Sequence, residues 1–143
     1  MKILVINGPN LNMLGIREPE IYGSSTLQDI YDLLNLEAAG KCELRFFQSN
    51  HEGAIVDEIQ AAYQKIDGIL INPAAYTHTS LAIADAIKSV AIPVVEVHIS
   101  DIATREEFRQ ISYIKPFAIA QISGLGIEGY VKGLQILIEH LSK

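Results

Sequence analysis

A chain of 143 residues is the size of one ordinary domain, long enough to bury most of its apolar surface in a single core. With 49% hydrophobic and 20% charged residues it leaves no room for a disordered tail, and a net charge of −6 with scattered basic residues argues against nucleic-acid binding. The lone cysteine, Cys42, excludes an internal disulfide framework, and the apolar run in MKILVING is too short for a signal-peptide core or a membrane span. The expectation is a soluble, cytoplasmic protein with neither nucleic acid nor membrane as a partner.

In chain order, the first β-rich run covers residues 2–7. It opens into a connection of roughly 18 residues, Gly8 to Ser25, against about two to six in an ordinary βα loop, and such excess length commonly marks a binding loop or lid. Within it, GIREPEIYG sets Arg17 and Tyr22 between two glycines. Leu27, Ile30, Tyr31, Leu34 and Ala38 then recur at helical spacing, with Thr26 and Asp29 as a start and Gly40 as a stop. A strand over 43–48 is followed by a helix carrying Ile55, Ile59, Ala62 and Ile66. A strand over 68–72 is followed by a helix carrying Leu81, Ala84 and Ile87 or Lys88. Strands over 93–98 and, more weakly, 118–123 precede a last helix carrying Ile127, Val131, Leu134 and Ile138.

This alternation predicts right-handed crossovers and a five-stranded parallel sheet with helices on both faces, a three-layer α/β/α, flavodoxin-like doubly wound fold. Ligands of such folds bind outside the carboxyl ends of the strands. Those ends carry Asn7, Gln48 to Asn50, Asn72, His98 and Ser123, which predicts a polar pocket there.

Cofactor motifs are missing from the loops. The run from Gly8 to Gly15 is neither GxGxxG nor GxxxxGKS/T, and Pro9 removes a backbone donor that a phosphate cradle uses. A phospho-receiver would place acidic residues where Asn7 and Asn72 stand. His51, His78, His98 and His140 lack metal-ligand spacing. Nothing in the sequence demands a metal or a cofactor.

Proton-transfer chemistry is better represented. A free phenol keeps its proton at neutral pH and acts as a base only where cations favour the phenolate. One unit charge about 4 Å away contributes about 4 kcal/mol at an effective dielectric of about 20, the order required. Arg17 is local to Tyr22, and Arg105, on the loop after the fourth strand, is a second candidate; arginine stays charged while the tyrosine titrates. In VVEVHIS, strand alternation sends Glu96 to the same face as His98, where a carboxylate can orient an acidic imidazole. Ile99 and Ser100 offer backbone N–H groups and a hydroxyl to a carboxylate. NPAAYTHTS offers Asn72, His78 and several hydroxyls to a polyol, and Arg109 shares a face with Arg105 if that stretch is helical. A base, an acid, polyol donors and an anion clamp suit elimination or isomerisation of a small hydroxylated acid. A non-enzymatic binding module on the same fold would keep the clamp but need neither Arg17 nor Tyr22.

INGPNLNMLGIREPEIYG, NPAAYTHTS, EVHIS, REEFR and GLGIEGY, in this order, closely resemble the type II 3-dehydroquinate dehydratases of the shikimate pathway. The resemblance implies a single catalytic domain over residues 1–143. It implies anti elimination of water from 3-dehydroquinate through an enolate to 3-dehydroshikimate, with neither metal nor Schiff base. It places Tyr22 as the base, Arg17 as the lid residue that supports it, Asn10 as the holder of a water at the enolate oxygen, and His98 as the acid. Asn72, His78 and Arg109 would bind substrate hydroxyls, and Ile99 and Ser100 the carboxylate. Asp85 would reach in from a neighbouring subunit of a homo-oligomer, a dodecamer built of trimers. Ala84, Asp101 and Ala103 depart from the family pattern.

Overall fold

The computed structural model describes residues 1–16 and 18–143. Five parallel strands, β1 (Lys2–Asn7), β2 (Glu43–Gln48), β3 (Gly68–Asn72), β4 (Val94–His98) and β5 (Ala120–Ser123), pair in the order β2-β1-β3-β4-β5. This is the flavodoxin-like doubly wound order. Between them run the helices α2 (Leu27–Ala38), α3 (Glu52–Ala61) and α4 (Leu81–Val90), and α5 (Glu128–Leu141) closes the chain. A further short helix, α1 (Pro19–Tyr22), lies inside the long first loop.

Strands β3 and β4 are buried along their whole length, as near-continuous apolar runs covered on both faces should be. Alternation divides the core in two. Ile3, Val5, Leu70 and Val97 face α2 and α5 through Ile30, Leu34, Tyr130 and Leu134. Leu4, Ile6, Ile69 and Ile71 face α3 and α4 through Ile55, Ile59, Ile83 and Ile87. α2 begins as its sequence directs: Thr26 and Asp29 form a reciprocal capping box, with Asp29 N–H donating to Thr26 Oγ1 at 3.1 Å and Thr26 N–H to Asp29 Oδ2 at 2.9 Å.

Three expectations shift in detail. α3 stops at Ala61, so Ile66 lies beyond it, after a turn in which Gln64 adopts φ 61°. Leu81 is 61% exposed; the buried stripe of α4 is Ile83, Ala84, Ala86, Ile87 and Val90. On α5 the buried face is Gly129, Tyr130, Gly133, Leu134 and Leu137, one step from the Ile127, Val131, Ile138 stripe. Gly133 sets that phase. A Cβ there would stand 2.7 Å from Leu70 Cδ1 and 3.0 Å from Val97 Cγ2, so its absence lets the helix lie close on the sheet.

Candidate active site

At the carboxyl edge of the sheet the loop after β1 meets the loop after β3. A Cβ on Gly8 would stand 2.5 Å from the Pro73 carbonyl oxygen, so only glycine permits this approach. Gln48 and Asn50, at the end of β2, hold the first loop from the other side. Gln48 Nε2 donates to the Gly8 carbonyl at 3.2 Å, and the Asn10 N–H donates to Asn50 Oδ1 at 2.9 Å. These strand-end side chains tether the loop and do not line the cleft, a correction to their expected pocket role. Asn10 itself is left-handed, φ 69°, and lines the cleft.

The cleft between these loops is lined by Asn10, Tyr22, Asn72, His78, His98 and Arg109, together with Ile99, Ser100 and Arg105. Eight of the ten expected site residues therefore converge. Arg17 falls outside the described residues. Asp85 projects from the exposed face of α4 and does not line the cleft of its own chain. Arg109 reaches the cleft from a 3-10 turn, Glu107–Arg109, so its expected helical face with Arg105 is not how the two converge. Glu106 gathers both, 3.8 Å from Arg105 Nε and 3.1 Å from Arg109 Nε, the second contact being an ion pair without hydrogen-bond alignment.

Arg105 was legible only as a candidate partner for the tyrosine, and it takes that place. Its Nη1 donates to the Tyr22 hydroxyl at 3.1 Å and to Ser100 Oγ at 3.1 Å, spending one proton on each. The guanidinium on this phenolic oxygen holds the ring in place. Since Ser100 Oγ accepts from Arg105, its own proton remains for a ligand.

The expected pairing of Glu96 with His98 is present in a tighter setting than spacing alone implies. Glu96 is fully buried and His98 is 5% exposed. His98 Nε2–H donates to Glu96 Oε2 at 2.5 Å, which leaves Nδ1 as the nitrogen available to a ligand. Thr77 Oγ1 donates to Glu96 Oε2 at 2.5 Å, Ser112 Oγ to Oε1 at 2.8 Å and Gln121 Nε2 to Oε1 at 3.1 Å. Burial by itself pushes this carboxyl up, but the donors from His98, Thr77 and Ser112 outweigh it and hold Glu96 below the ordinary 4.5. The group is therefore a buried anion supplied with donors.

A stability prediction follows with a definite sign. Because the folded carboxyl titrates below its unfolded counterpart, its contribution is complete above 4.5 and is lost as the pH falls through the lower folded value. Glu96→Gln is expected to lower unfolding free energy at neutral pH by about 1–3 kcal/mol and to flatten the stability profile below 4.5. Urea midpoints taken between pH 3 and 7 check it; parallel acid profiles for both proteins would contradict it.

Three of the four hydroxyls of NPAAYTHTS serve the fold and not the cleft. Thr77 donates to Glu96, Ser80 caps α4 by accepting from Ile83 N–H at 2.9 Å, and Tyr76 donates to the Asn50 carbonyl at 2.8 Å. His78 does face the cleft. Its Nδ1–H donates to the Ile111 carbonyl at 2.6 Å, since a carbonyl can only accept, and Nε2 is left as an acceptor for a ligand hydroxyl. Burial holds His78 below its ordinary 6.5 against the raising effect of that carbonyl, with the nearby His98 and Arg109 adding to the lowering, so the ring is neutral at pH 7. Among the described residues no three histidine, cysteine, aspartate or glutamate side chains converge as a metal site.

A phenol held by a guanidinium and an imidazole held by a buried carboxylate face one small polar cleft at the switch edge of the sheet. Fold and cleft together define a flavodoxin-like α/β protein with an acid–base site. The family model for dehydroquinase class II matches residues 1–138, and the chain belongs to that family. It is 58% identical to the 3-dehydroquinate dehydratase of Geotalea daltonii, with 100% of each chain covered. It is 60% identical to that of Acaryochloris marina over 97% of this chain and 94% of the relative. The crystal structure of type II dehydroquinase from Butyrivibrio crossotus superposes with a TM-score of 0.93 at 53% identity, covering 96% of this chain and 97% of that one.

Proposed function

We propose that residues 1–143 form one catalytic domain, a type II 3-dehydroquinate dehydratase, a hydro-lyase of the shikimate pathway that supplies chorismate and the aromatic amino acids. The observation that carries this reading is the joint placement of Tyr22 under Arg105 and His98 on Glu96 in one cleft. Tyr22, as phenolate, removes a proton from C2 of 3-dehydroquinate. The electron pair flows into the C3 carbonyl to give an enolate, and Asn10 holds a water whose dipole meets the charge that develops on that oxygen. Collapse of the enolate forms the C1–C2 double bond and expels the C1 hydroxyl, on the opposite face, with a proton from His98 Nδ1. The products are water and 3-dehydroshikimate.

Binding falls to the remaining cleft residues. Ser100 Oγ–H and the Ile99 backbone receive the C1 carboxylate, and Asn72, neutral His78 and Arg109 take the ring hydroxyls. Arg17 would join Arg105 in favouring the phenolate. The mechanism needs neither metal nor imine; among the described residues no lysine, the side chain an imine requires, lines the cleft.

The enzyme would act as a cytoplasmic homo-oligomer, trimers grouped into a dodecamer, with Asp85 completing a neighbour's cleft. The outer face of α4 supports this: Leu81 and Asp85 share it with Lys88, whose ammonium lies 5.7 Å from the ring of the 42%-exposed Phe117.

The test is an ultraviolet assay for the conjugated enone product, run on borohydride-treated protein in the presence of a chelator. Turnover equal to that of untreated enzyme is expected. Inactivation by borohydride with substrate present would replace the enolate route with an imine, and no turnover by the untreated, folded oligomer would overturn the dehydratase reading.

A further inference from the structure

Tyr130, in the first turn of α5 and the last residue of GLGIEGY, carries a hydroxyl that the acid–base chemistry does not use. The side chain is fully buried, where phenylalanine would fill the same space without desolvating a polar group. Its hydroxyl lies between Asn7 and Asn72, which end the neighbouring strands β1 and β3 at paired positions. It donates to Asn7 Oδ1 at 2.7 Å and accepts from Asn72 Nδ2 at 2.9 Å. Burial pushes the phenol well above its ordinary 10.0, more strongly than the Asn72 hydrogen bond lowers it, so the proton stays in place at any physiological pH.

The polarity of this chain is fixed at one end by the backbone. Ala74 N–H can only donate, and it does so to Asn72 Oδ1 at 3.0 Å. With its oxygen committed to Ala74, Asn72 must turn Nδ2 toward Tyr130, and the single Tyr130 proton must go to Asn7. Nδ2 carries two protons. Tyr130 takes one, and because Asn72 lines the cleft, the other is what it offers a ligand. Ala74 also lines the cleft and is held at φ 52°, a left-handed conformation unusual for alanine, beside this amide.

We propose that Tyr130 is a positioning residue that, with the Ala74 N–H setting the amide's polarity, holds the Asn72 nitrogen in place as a hydrogen-bond donor toward a ligand oxygen, and so sets substrate affinity without touching the substrate. The identity of that substrate rests on the dehydratase reading. Wild-type turnover is therefore measured first: its absence would overturn that reading and leave the Asn72 geometry to be judged by structure alone.

Tyr130→Phe, Asn72→Ala and the double variant are then compared. Tyr130→Phe is expected to raise KM for 3-dehydroquinate about tenfold with kcat changed less than about threefold. In the Asn72→Ala background the same substitution should change KM less than about twofold, while its effect on Tm persists. A crystal structure of Tyr130→Phe, which needs no substrate, should show the Asn72 amide displaced. An Asn72 side chain left in place, or an equal KM effect in both backgrounds, overturns the assignment.

Discussion

Replacing Tyr22 with phenylalanine is expected to lower kcat by about 10²–10⁴-fold, the usual contribution of a positioned general base. The substitution removes one oxygen and almost no volume. Tyr22 is partly exposed, so the fold loses little, and the protein should elute unchanged. On the proposed mechanism the acceptor for the C2 proton is lost, while Arg105 keeps its second hydrogen bond to Ser100. Substrate binding should stay detectable by calorimetry. The same variant separates abstraction from elimination: in deuterium oxide, recovered 3-dehydroquinate should show no enzyme-dependent deuterium at C2. A variant that kept a tenth of wild-type kcat would remove Tyr22 from the reaction and return the proton to another group in the cleft.

Legibility of this site in the sequence followed the range of the interactions involved. β1 and β3 begin and end where their apolar runs do, because a strand buried on both faces needs an uninterrupted apolar run that polar residues close; the partly buried edge strand β2 keeps its expected bounds although Arg45 interrupts its run. Glu96 and His98 were placed together because a period of two is a local property of a strand. Tyr22 and Arg105 could be named as partners only by charge chemistry, since 83 positions separate them and the fold alone closes that gap. The hydroxyls of Thr77, Tyr76 and Ser80 read as ligand donors because sequence shows which groups are present and not which way they point; one turns inward, one ties down the Asn50 carbonyl and one caps a helix. Ser112 and Gln121 carried no signal at all. Each is an ordinary polar residue whose meaning depends on a buried carboxylate 16 and 25 positions away. The α5 face was misphased for a related reason: the helix packs on Gly129 and Gly133, and a stripe sought among large apolar residues passes over glycine.

His98→Asn is expected to cut dehydration by about 10²–10⁴-fold as well, with a different signature from the tyrosine variant. Asparagine is too short to replace the Nε2 donor, but Glu96 retains Thr77, Ser112 and Gln121, so the buried anion is not orphaned and the Tm should fall only modestly. On the proposed mechanism the lost function is proton delivery to the departing hydroxyl. If elimination is stepwise, the enolate still forms under Tyr22 and Arg105, and with its forward path blocked it returns to substrate. Solvent deuterium should then enter C2 of recovered 3-dehydroquinate faster than product appears, a ratio that mass spectrometry and the enone absorbance measure together. Tyr22→Phe should lose both signals; His98→Asn should lose one. Equal suppression of exchange and dehydration in His98→Asn would mean that the two protons move in a single step, and Glu96 would then be holding His98 for a concerted elimination instead of for the second half of a stepwise one.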